Sequence, residues 1–255
     1  MQPLHPMHFL SNFLCPFLHT QNLLTYISEE SGRAYVNVDL SGQDGLHEAR
    51  KAGLASSSLA DVIFSPQFHG IGNIIFHDEF KARLFTLTRH PVDLAVTSYY
   101  RFTQTAAEEV LREMSLEEFI SSKYYVGNIM TRLVGGCWTA DIADSTCLQW
   151  SKELLRTKYI IGLHDDIYGA IELYEDYFFW DNASPDVNIC KRNAIKSESD
   201  RDFAVYKKTG HKIKENSKLY QQIVEQNALD MELYWFAVEL HKFQRAWVPR
   251  LTANK

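Results

Sequence analysis

The chain lacks any uninterrupted apolar run of about eighteen residues, the length from which a membrane-spanning helix is built. Its longest uncharged segment is the start, since residues 1–28 contain no Asp, Glu, Lys or Arg. Pro3, Pro6, Pro16, Asn12, Gln21, Asn22 and three histidines break that segment up. No transmembrane anchor is expected there, and without a basic opening a secretory signal peptide is not expected either. Cysteine is scarce: four in 255 residues, none in C-x-x-C spacing, so no zinc site and no metal is expected. Cys137 and Cys147 could close a short disulfide loop in an oxidising compartment, and buried free thiols fit the spacing equally. Net positive charge is also missing; at −6 the chain is not a general nucleic-acid binder. There is no G-x-S-x-G hydrolase elbow, no G-x-x-x-x-G-K-[ST] nucleotide loop, no internal repeat and no low-complexity tract.

What is present suffices for one large α/β domain. The 255 residues are 45% hydrophobic, enough to bury a substantial core. Ala34–Leu40, Asp61–Phe64, Ala82–Thr88 and Lys158–Leu163 read as strands. Helices are expected over Gly45–Leu54, from the capping box Ser115-Leu116-Glu117-Glu118 to about Ser122, from Asp165-Asp166 to about Trp180, and over Ser217–Phe243. Strands alternating with helices predict a central parallel sheet covered on both faces. A single domain is expected over 1–255, with 1–33 an atypical N-terminal segment and 34–245 the core. Residues 182–202 are polar and aperiodic and read as a surface loop. Between Lys191 and Lys218 nine Lys/Arg face four Asp/Glu. That excess suits a solvated face, or a basic rim for a nucleotide or acidic glycan.

The sharpest signal is Leu84-Phe85-Thr86-Leu87-Thr88-Arg89-His90-Pro91-Val92-Asp93-Leu94-Ala95-Val96-Thr97-Ser98-Tyr99-Tyr100. It reads as a buried strand, a two-residue turn and a helix opened by proline, whose missing N–H is harmless at that position. Free backbone N–H groups at a helix start attract an anion, and Arg89 adds a forked donor suited to phosphate. Ser98 adds a hydroxyl two turns along. Locally, an ordinary strand-to-helix connection with a surface arginine reads the same way.

The segment as a whole resembles the 3′-phosphate-binding element of the sulfotransferases, in particular Golgi carbohydrate sulfotransferases of the heparan sulfate 2-O type and their algal relatives. Leu94 stands where that family often has arginine. Ser115-Leu116-Glu117-Glu118-Phe119-Ile120, Asn128-Ile129-Met130-Thr131-Arg132-Leu133-Val134-Gly135-Gly136, Ile160-Ile161-Gly162-Leu163 and Asn227-Ala228-Leu229-Asp230-Met231-Glu232-Leu233-Tyr234 are similar to further family elements in the same order. The resemblance implies a three-layer, P-loop NTPase-like sulfotransferase fold. It implies sulfuryl transfer from 3′-phosphoadenylyl sulfate (PAPS) to a carbohydrate hydroxyl, in the Golgi lumen. Arg89 and Ser98 would hold the 3′-phosphate. His69 is the first candidate for the base and His77 the second, with Arg132 a possible acceptor or nucleotide contact, or half of an anchoring ion pair. Asn227 and Asp230 are expected to lock the last helix to the core.

One family element is missing. A Pro-Lys-(Thr/Ser)-Gly loop for the 5′-phosphosulfate should precede Arg89, and none does. Lys208-Thr209-Gly210 has similar letters but lies far downstream without a preceding strand. The chain is thus expected to begin just after the loop, as a truncated gene model, a splice form or an inactive relative. An inactive remnant that keeps weak nucleotide affinity is the alternative function. A small-molecule P-loop kinase comes third, because it needs a Walker lysine that is not there.

Overall fold

The computed structural model describes residues 24–27, 34–57, 60, 62–76, 81–105, 112–138, 144–180, 189, 192–193, 195–196 and 213–252. Strands β3 (Leu84–Thr88) and β4 (Tyr159–Leu163) pair in parallel, Leu84 opposite Tyr159 and Thr88 opposite Leu163. β4 is buried along its whole length, as its unbroken apolar sequence requires when both faces are covered.

Successive residues serve opposite faces. Tyr159, Ile161 and Leu163 pack with Met130 and Val134 of α4 (Ile129–Gly135), Leu148 and Leu155 of α5 (Asp144–Lys158), and Leu233 and Ala237 of α8 (Ala228–Thr252). Ile160 packs instead with Ala170, Ile171, Leu173 and Tyr174 of α6 (Ile167–Phe178), where Phe85 and Leu87 of β3 also lie. Helices on both faces of a parallel pair make this a mixed α/β fold.

Polar side chains of α8 close the outer edge of β4. Gln244 donates to the Tyr159 carbonyl at 2.8 Å and accepts the Ile161 N–H at 2.8 Å, while His241 Nδ1 lies 2.6 Å from the Ile161 carbonyl. These bonds fill the positions that a further strand would use.

Two expected strands differ from the structure. Ala34–Asn37 (β2) does not join the parallel pair; it runs antiparallel to β1 (Leu24–Ile27), a pairing that a short connection permits. Val62–Ser65 forms no ladder among the described residues, and Val62 lies in a bend. Its side chains still alternate: Val62 and Phe64 pack on the α6 cluster and Ile63 on a cluster with Leu46 and Ile75. Asp61 lies outside the described residues, as do the whole of 197–212, including Lys208-Thr209-Gly210, and most of 182–196.

Helix signals are met more closely. α1 (Gln43–Lys51) occupies the expected Gly45–Leu54 region. α3 (Leu116–Ser121) begins with both halves of the capping box, Ser115 accepting from the Glu118 N–H and Glu118 from the Ser115 N–H. Ser115→Ala should lower stability by about 1 kcal/mol in urea unfolding. Asp166 caps α6 through the Gly169 N–H at 3.1 Å, after a 3-10 turn at His164–Asp166. Cys137 and Cys147 are joined, with Cα atoms 6.0 Å apart, and the bond ties the end of α4 to the start of α5. Removing it with Cys137→Ser and Cys147→Ser should cost roughly 2–3 kcal/mol by the loop-closure estimate, read as a lower urea midpoint.

The helix expected over Ser217–Phe243 is two helices, α7 (Lys218–Gln226) and α8, divided at Asn227. The amide of Asn227 donates to the Ile223 carbonyl and to the Tyr125 hydroxyl, each at 2.6 Å, and accepts the Asn128 N–H at 3.1 Å. An asparagine side chain competing for backbone groups in this way breaks a helix that its apolar spacing alone would continue.

Candidate functional site

The turn after β3 leads into α2 (Pro91–Thr105), as the sequence predicts. His90 Nδ1 accepts the Val92 N–H at 3.3 Å, and the His90 carbonyl accepts the Leu94 N–H at 2.9 Å. One side of α2 is core: Val92, Ala95, Val96 and Tyr100 pack with Phe119 and Ile120 of α3 and with Ile223 of α7.

The neighbouring side borders a cleft of about 360 Å³, within the size range of small-ligand sites. Pro91, Leu94, Ser98 and Arg101 line it from α2. These positions follow helical spacing, so Ser98 and Arg101 share a face. Phe102, Phe119, Tyr124, Tyr125 and Val126 supply flat apolar walls, and Asn227 lies at the base. Burial pushes the Tyr125 phenol up from its ordinary value, so it stays protonated at neutral pH. Its oxygen accepts from Asn227, which leaves its own proton to donate.

A polar junction supports this base. Asp230, with 0% exposure, accepts the Met130 N–H at 2.9 Å and both the N–H and hydroxyl of Thr131 at 2.7 Å, capping α4. In return Asn128 accepts the Leu229 and Asp230 N–H groups and caps α8. Two helix N-termini, each the positive end of a dipole, thus meet and supply one another's acceptors. The approach is close: a Cβ on Gly127 would strike the Gln226 carbonyl. Asn128 holds a left-handed φ of 55°, which asparagine tolerates better than most residues. Burial raises the Asp230 carboxyl above its usual value; the Thr131 and Met130 donors, and then the Arg132 charge, oppose that rise.

The sequence candidates fall in different places. Ser98 is half-buried and in the cleft. Arg89 is half-buried in the turn that precedes Pro91 and is not part of the lining. His69, in the helical turn Phe68–Gly70, packs against Gly136 at the end of α4, where a Cβ would come within 3.0 Å of the imidazole. Its neighbour Phe68 packs on Tyr159, the first residue of β4, with ring centroids 5.6 Å apart and the planes tilted by 33°. Arg89, by contrast, follows Thr88, which pairs with the last residue of β4. His77 lies outside the described residues. Arg132 points toward α5, with Nη2 3.7 Å from Asp144.

Arg101, Phe102, Tyr124 and Tyr125 were not among the candidates from sequence. For Arg101 a signal existed, because it stands three residues after Ser98 on a helix already expected. The tyrosines had none, since a loop joins the cleft only through folding. Comparison of the chain with protein-family models, with curated proteins and with solved structures returned no match.

Proposed function

We propose that the cleft binds a 3′-phosphorylated adenine nucleotide and that the chain is a PAPS-dependent sulfotransferase acting on a carbohydrate hydroxyl. One observation carries this reading: Ser98 and Arg101, on a proline-opened helix after a parallel strand, line the same cleft as Phe102, Tyr124 and Tyr125. Hydroxyl and guanidinium donors suit a phosphate, and flat aromatic walls suit a purine. Arg89 stands in the turn before the same helix, outside the cleft lining. The parallel pair clad by helices on both faces is compatible with the three-layer, P-loop NTPase-like sulfotransferase fold.

Sulfuryl transfer needs the acceptor oxygen in line with sulfur, its proton removed, and the leaving phosphate stabilised. The Cys137–Cys147 bond supports maturation in an oxidising compartment such as the Golgi lumen. Among the described residues no helix is long and apolar enough to cross a membrane, and no group of three or more His, Cys, Asp or Glu side chains is placed to hold a metal.

A second reading is binding of the nucleotide without transfer. Thermal unfolding separates ligand from reaction. Adenosine 3′,5′-bisphosphate should raise Tm, by mass action on the folded state. Labelled sulfate passing from PAPS to desulfated heparin then distinguishes an enzyme from a binding protein.

A further inference from the structure

The carboxyl ends of parallel strands are where open α/β sheets carry their ligands. At that end of β4 stand His164, Asp165 and Asp166, and at that end of β3 stand Arg89 and His90. Asp166 is committed elsewhere: it caps α6 and pairs with Arg245 at 2.7 Å, and His241 Nε2 lies 3.8 Å from the same oxygen. Asp165 differs. Its carboxylate is exposed, and one oxygen accepts the Tyr234 hydroxyl at 3.1 Å.

Tyr234 is itself held from α8 by the His90 ring, edge-on with centroids 5.1 Å apart. His90 lies beside Trp235 as well, at 6.2 Å, and Trp235 is 55% exposed. Asp165, Tyr234, His90 and Trp235 thus form one surface group. His90 links it to the cleft, because the next residue, Pro91, lines that cleft.

We infer that Asp165 is the general base that takes the proton of the acceptor hydroxyl, with Tyr234 as its positioning residue. This rests on the sulfotransferase reading above. His69, beside the first residue of β4, does not share this group. His90 is not the base: its Nδ1 accepts the Val92 N–H, which in the neutral ring puts the proton on Nε2 as a donor. The Asp165 carboxylate is open to a substrate and fixed in direction by the phenol. Burial, and then the charges of Asp165 and Asp93, push the Tyr234 phenol up, so it remains protonated and donating. In the transfer step the acceptor oxygen attacks the PAPS sulfur as its proton passes to Asp165. The bond from sulfur to the bridging oxygen breaks, and that oxygen leaves with the electron pair on the nucleotide's 5′-phosphate. The exposed indole of Trp235 gives the sugar an apolar face to lie against.

Transfer from labelled PAPS to desulfated heparin is measured for the wild type, Asp165→Asn and Tyr234→Phe, with the bisphosphate-induced Tm shift recorded for each. Asp165→Asn should lose about 10²- to 10⁴-fold in kcat and keep the Tm shift of the wild type. Tyr234→Phe should lower kcat and leave KM and the Tm shift unchanged, because the carboxylate loses the donor that fixes its direction. Wild-type turnover that survives Asp165→Asn overturns the base assignment alone. A wild type that gives the Tm shift but transfers no sulfate overturns the enzymatic reading and the base with it. A wild type without either overturns the nucleotide site as well.

Discussion

Asp230→Ala is expected to lower the unfolding free energy by about 3 kcal/mol, the cost of leaving buried donors without an acceptor. On a chain of this size that is a fall in Tm of roughly 6–12 °C. The Met130 N–H, the Thr131 N–H and the Thr131 hydroxyl all end on this one carboxylate. Asp230 has 0% exposure, so bulk solvent does not reach these donors. Asp230→Asn should cost less: the amide oxygen still accepts the Thr131 N–H and hydroxyl, and the burial of a charge, which holds the carboxyl above its usual value, is relieved, while the Met130 N–H loses its acceptor. Urea unfolding of both variants checks the order. Equal losses would mean that the charge, rather than the acceptor geometry, holds α4 to α8.

The second large effect is on binding. Arg101→Ala should weaken adenosine 3′,5′-bisphosphate by roughly 10- to 100-fold, the range for one hydrogen bond to a charged group. Arg101 lines the cleft one helical turn beyond Ser98, so removing it takes a charge from the site without disturbing the buried face of α2. Replacing Arg89 and Arg101 together should abolish the thermal shift. Phe102→Leu, on the same helix, should weaken the nucleotide through its base and leave its salt dependence unchanged. If Arg101→Ala binds as the wild type does, the phosphate lies elsewhere.

The sequence exposed those parts of the fold whose cause is local. β4 was legible because five consecutive residues are buried on both faces and so need no polar partner. The capping box before α3 was legible because its two hydrogen bonds join residues three apart. The break at Asn227 was not, because the groups that set its conformation come from Tyr125 and Asn128, about a hundred residues away. Val62–Ser65 carries the alternation of a strand, but alternation specifies two buried faces and not a hydrogen-bonded neighbour. The antiparallel pairing of β2 was hidden for the same reason. Of the candidate site, Ser98 was legible from the strand–turn–helix pattern. Its opposite wall was not, since Tyr124 and Tyr125 reach the cleft only because α3 packs against α2. Asp165 was read only as part of the Asp165-Asp166 start of a helix, whose cap is Asp166. The phenol that orients Asp165 comes from α8, a contact no spacing could announce.

Isothermal titration of the wild-type chain with adenosine 3′,5′-bisphosphate and, in parallel, adenosine 5′-monophosphate bears most directly on the cleft. One site is expected, with an affinity for the bisphosphate at least about tenfold higher, the worth of a phosphate held by charge-assisted hydrogen bonds. Equal affinity for the two nucleotides, or no heat from either, would contradict it.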